Sequence, residues 1–116
     1  MLLKKKYNTN IYNYINVIEK ANLLIEEDKR DEAIKYLKLT KSRFLKSAEI
    51  RYNLGCLYLQ KKQFLLAANE FEEALKIDNS VTDYKINLVI SYIKIVNILM
   101  LKKNYINSIK YLKKIE

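Results

Sequence analysis

A chain of 116 residues with no proline and a single glycine, Gly55, lacks the punctuation that an all-β or α/β fold needs at its many turns. Helices joined by short polar turns are the architecture open to it. Half of the residues are hydrophobic and 30% are charged, a globular rather than a disordered balance. The length suits one all-α domain with a modest core.

Apolar residues recur at helical spacing, and polar clusters separate the runs. The spacing predicts six helices, at about 10–26, 30–43, 48–60, 64–77, 82–101 and 105–115. Residues 1–13 read as an extension that leads into the first helix, and 14–116 as the folded domain. Ser80 with Asp83 forms a capping signature for the fifth helix, and Asn104 stands at the cap of the sixth.

The clearest internal unit is Ala48 to Val81, where Leu54, Gly55 and Tyr58 are followed by Ala67, Phe71 and Ala74. Antiparallel helices approach closely only where small side chains face each other. Gly55, Ala67 and Ala74 therefore read as notches, with Leu54, Tyr58 and Phe71 filling around them. A mid-helix glycine costs about 1 kcal/mol relative to alanine, so a packing or contact role for Gly55 is expected to offset it. This pattern resembles the tetratricopeptide repeat, a helical hairpin of about 34 residues. Two positions depart from it: Arg51 stands where a bulky aromatic is common, and Asn79 replaces the usual closing proline.

Shifted back by one repeat, the template meets residues 14–47, with Ala21, Leu24, Ala33 and Leu37 at the places of Gly55, Tyr58, Ala67 and Phe71. Shifted forward, Leu88, Val89 and Tyr92 match the front half of 82–116. Ser108, Leu112 and Ile115 match the back half only after seven extra residues. Seven residues are about two helical turns, which predicts a lengthened first helix whose faces are preserved.

The resemblance implies a right-handed solenoid of about three hairpins, its concave side lined by the first helix of each. It implies a non-enzymatic scaffold that binds an extended peptide or a partner helix in that groove. Mapped onto this chain, the groove comprises Ile15, Ile18, Glu19 and Asn22, then Glu49, Tyr52, Asn53 and Cys56, then Asp83, Ile86, Asn87 and Ile90. Asparagine amides both donate and accept, so Asn22, Asn53 and Asn87 suit pairing with a peptide backbone; the plainer reading is that AT-rich codon bias put asparagine on a solvated face. Some members of the family clamp a chaperone's carboxyl terminus with two asparagines and several basic residues. Asn22 and Asn53 fall at clamp-like places, but Ile18, Asp83 and Asn87 replace the basic partners, and an acid there repels a carboxylate.

The formal charge is +9, from 22 Lys and Arg against 13 Asp and Glu. Lys35, Lys38, Lys41, Arg43 and Lys46 form one basic cluster; Lys102, Lys103, Lys110, Lys113 and Lys114 form another. Tyr36, Phe44, Tyr105 and Tyr111 lie among them, so a helical module for RNA or DNA is the alternative reading. Abundant Lys, Asn, Ile and Tyr also match an AT-rich, low-GC genome, which supplies lysines whatever the function.

No catalytic set is evident. Cys56 is the single cysteine and there is no histidine, so neither a Cys-His nucleophile nor a multi-cysteine metal site can be built. Glu26, Glu27, Asp28, Asp31 and Glu32 suit a helix start, where the dipole favours acids, and no cofactor or metal is expected. The apolar stretch Ile86–Leu101, 16 residues crossed by a polar stripe of Asn87, Ser91, Lys94 and Asn97, reads as a core helix and not a membrane span. With no signal peptide visible, a cytoplasmic location is expected. Ile109, Leu112 and Ile115 leave an apolar face on the last helix, which predicts self-association through that end or a longer repeat array.

Overall fold

The computed structural model describes residues 2–116, with side chains from residue 13 onward. Among the described residues there are six helices and no strand: α1 (Leu2–Glu26), α2 (Arg30–Lys41), α3 (Ala48–Gln60), α4 (Phe64–Ile77), α5 (Thr82–Leu101) and α6 (Tyr105–Ile115). The all-α repeat class expected from the sequence is the one observed. Helix α1 begins at Leu2 rather than near residue 10. No proline or glycine in that stretch stops a helix from extending backwards.

The chain divides into two compact units, Met1–Leu45 and Lys46–Glu116. The first is the α1–α2 hairpin. It buries Val17 and Ala21 from α1 and Ala33, Leu37 and Thr40 from α2. Thr40 is buried with its hydroxyl satisfied, because Oγ1 donates to the Tyr36 and Leu37 carbonyls at 3.0 and 3.2 Å.

The second unit contains α3–α4 and α5–α6, each helix packed on the next and α3 also touching α5. Its core holds Ile50, Leu54, Leu57, Phe71, Tyr84, Tyr92, Ile95 and Val96, around the small residues Gly55, Ala67, Ala68 and Ala74. All six residues of the repeat motif are buried. The seven additional residues lie in α5, which has 20 residues where α3 has 13.

The three hairpins share one turn. Asp28, Lys62 and Lys103 take the left-handed conformation at φ 59°, 60° and 58°. In each turn the next residue's N–H reaches back across the helix end: Lys29 to Leu24, Gln63 to Tyr58 and Asn104 to Leu99, at 2.8 to 2.9 Å. A second bond runs from each left-handed residue to Ile25, Leu59 or Met100, at 3.0 Å. Together these form the Schellman arrangement, which satisfies carbonyls that a helix end leaves open. The turn spacing is one repeat and then one repeat plus two helical turns, which agrees with the added length of α5 over α3.

Caps differ among the helices. Ser47 caps α3 by accepting from Ile50 N–H at 3.2 Å, and Asn104 caps α6 by accepting from Asn107 N–H at 3.3 Å. The expected Ser80–Asp83 cap of α5 does not form. Val81 is the N-cap residue there, without a side-chain bond. Ser80 is instead held by Asp78, whose Oδ1 accepts from the Ser80 amide at 3.0 Å and hydroxyl at 2.6 Å. Those two bonds hold the Asp78 carboxyl below its usual pKa.

At 20 residues, α5 is long and apolar enough to cross a membrane. It packs between α4 and α6 and buries Tyr84, Ser91, Tyr92, Ile95 and Val96.

Candidate functional site

In the second unit, the first helices of the two hairpins meet at Tyr52. Its ring leaves α3 to lie 4.8 Å from the Tyr84 ring on α5 and 5.8 Å from Phe71 on α4. Asn87 Nδ2 donates to the Tyr52 hydroxyl at 3.2 Å and to the Asp83 carbonyl at 2.9 Å. Both amide hydrogens of Asn87 are thus engaged within the chain, and its role there is to brace α5 on α3. Cys56, one turn beyond Tyr52, is half-buried.

Burial, with a hydrogen bond to Cys56 second, pushes the Tyr52 phenol up to about 12. Burial also pushes the Cys56 thiol up, beyond what its bond to Tyr52 lowers. A thiol so placed stays protonated near neutral pH and is a poor nucleophile.

Around this cluster the surface is open and mixed, with Asp83 close enough to act on both Tyr52 and Cys56. Ile86 and Ile90 are 51% and 37% exposed on α5, and Asn53 is half-buried on α3. Glu49 is exposed at the start of α3, and the other residues of the expected groove lie on α1 in the first unit, where Ile18 is half-buried and Ile15, Glu19 and Asn22 are exposed.

Two polar links escaped the sequence reading. Arg51 pairs with Glu70 at 3.8 Å, with the side chains only 14% and 11% exposed. This accounts for a charged residue at a place where repeats of this kind commonly carry an aromatic. The second link joins α4, α5 and α6. The Tyr92 hydroxyl donates to Glu72, and Lys114 lies 3.9 Å from the same carboxylate, over the rings of Tyr92 and Tyr111. Burial and the Glu72 bond raise the Tyr92 pKa.

The aromatics once counted as base-stacking candidates are mostly occupied. Phe44 packs edge-on to Tyr14, Tyr111 lies 5.8 Å from Tyr92, and Lys20 sits 4.6 Å above the Tyr36 ring. Tyr105 remains 53% exposed. In the acidic turn, Glu27 pairs with Lys29 at 3.1 Å and Asp28 with Arg30 at 3.4 Å.

Three hairpins closed by one turn geometry, with a glycine–alanine notch at the centre, define an α-α helical repeat protein. More narrowly, the family model for the tetratricopeptide repeat matches residues 48–81, the hairpin that contains Gly55 and Phe71, which supports a tetratricopeptide-like repeat protein. No curated protein matches the chain. Tetratricopeptide repeats generally mediate protein–protein interaction and are typically not enzymes.

Proposed function

We propose that the chain is a non-enzymatic scaffold that binds an extended peptide or partner helix along the first helices of its hairpins. The observation that carries this reading is the pair of exposed isoleucines, Ile86 and Ile90, beside the Tyr52–Asn87 brace. Apolar side chains left open on a rigid, hydrogen-bonded floor are what a partner buries to gain affinity. Asn53 on α3 is the amide beside these residues for a peptide backbone, while Asn87 acts through Tyr52. The test is a pulldown after nuclease treatment, comparing the wild type with Ile86→Ser/Ile90→Ser. Loss of captured protein, with helicity intact, supports the reading; an unchanged set of captured proteins sinks it.

Two further readings rest on specific observations. Exposed Tyr105 near Lys102 and Lys103 fits a nucleic-acid contact, and steep loss of oligonucleotide binding with rising salt would mark it. On α6, Ile109 and Leu112 are 52% and 46% exposed and fit association of copies through that end. A concentration-independent monomer in sedimentation would remove that reading.

A further inference from the structure

We infer that the second unit carries another docking site, on a different side of α5, for an acidic peptide segment that presents bulky apolar side chains. A groove of about 350 Å³ opens between the start of α4 and the end of α5, floored by Phe64, Leu65, Leu66, Ile95, Ile98 and Leu99. Leu65, Leu66 and Ile98 are still 57%, 46% and 39% exposed, so an occupant that covered them would remove apolar surface from water. The volume sits near the lower end of ligand pockets, with room for one or two large side chains.

Charge decides the class of occupant. Lys62 and Lys102 form the rim, each in a hairpin turn, with Lys61 and Lys103 beside them, and no acidic residue lines the groove. Both rim lysines are exposed, and no described carboxylate pairs with either. Carboxylates flanking the inserted side chains therefore gain two uncommitted cations and meet no local repulsion. A second copy of the chain suits the site poorly, because each copy carries a formal charge of +9. The groove shares no residue with the face around Tyr52, Ile86 and Ile90, so it stands or falls apart from the proposed function.

The probe is a short synthetic peptide with a Leu-Phe pair flanked on both sides by glutamates, labelled for fluorescence anisotropy and titrated with the full chain. A lysine-flanked counterpart is the control. The glutamate-flanked peptide should bind and the control should not. Lys62→Glu/Lys102→Glu, and separately Leu66→Ser, should weaken binding at least tenfold. Both change exposed positions, and circular dichroism confirms that helicity is kept. Lys85→Glu, an exposed charge reversal near the other end of α5, should leave the affinity unchanged. The inference is overturned if the peptide does not bind, if these groove variants bind as tightly as the wild type, or if only anionic vesicles or a second copy of the chain respond to them.

Discussion

A β-carbon added to Gly55 would lie 2.6 Å from Phe71 Cε1 and 2.9 Å from Cδ1 and Cζ. Phe71 is fully buried, so its ring would have to shift within the packed core. Glycine is therefore required here by the partner ring, not by backbone conformation, since Gly55 is not at positive φ. Gly55→Ala gains about 1 kcal/mol of helix propensity yet should lower stability by about 1–3 kcal/mol net through overpacking. Urea denaturation measures it, and combining the change with Phe71→Leu should recover part of the loss.

The left-handed turn residues predict the opposite sign. Lys103 holds φ 58° without being glycine, a conformation that costs a side chain about 1 kcal/mol. Lys103→Gly should raise the melting temperature, while Lys103→Val, β-branched at the same φ, should lower it.

The Arg51–Glu70 pair should show strong coupling. Arg51→Ala removes the cation nearest the largely buried Glu70 carboxylate and should cost about 1–3 kcal/mol. Arg51→Met/Glu70→Leu removes both charges and should cost much less than the sum of the single changes. A double-mutant cycle by chemical denaturation reads the difference.

Alkaline pH should weaken the α3–α5 contact. The Tyr52 pKa is about 12 in the folded chain against 10.0 when free, so the folded state holds the proton more tightly. Its contribution is complete below pH 10 and is lost as pH rises towards 12. Tyr52→Phe should be less stable than the wild type at neutral pH, because Asn87 loses its acceptor, and the gap should narrow across that window. Denaturation midpoints on either side of it provide the check.

Much of this architecture was legible because its signals are local. The starts and ends of α3, α4, α5 and α6 fall at polar clusters, and Leu54, Gly55, Tyr58, Ala67, Phe71 and Ala74 carry a packing pattern that one hairpin satisfies by itself. Features that depend on a distant partner were not legible. Arg51 looked like a misfit until α4 placed Glu70 against it. Asn87 looked free until α3 offered the Tyr52 hydroxyl. Ser80 failed as a cap because Asp78, nearer in the chain, had already engaged it. The apolar groove between α4 and α5 has no sequence signature, since exposed Leu65 and Leu66 look like any residues of an apolar run until Ile98 lies across from them.

The added length in α5 has its own effect on what the surface offers. With 20 residues against 11 in α6, α5 outruns its hairpin partner by about 13 Å of helix. The seven extra residues follow Tyr92, the last position in register with the central repeat, so the added turns carry Ile95, Ile98 and Leu99, the α5 ledge of the groove against α4. A two-turn insertion has thus made surface without making a new motif. Shortening α5 by one heptad would restore an ordinary hairpin and remove the ledge, a reminder that in a helical repeat the length of a single rod can be a specificity determinant.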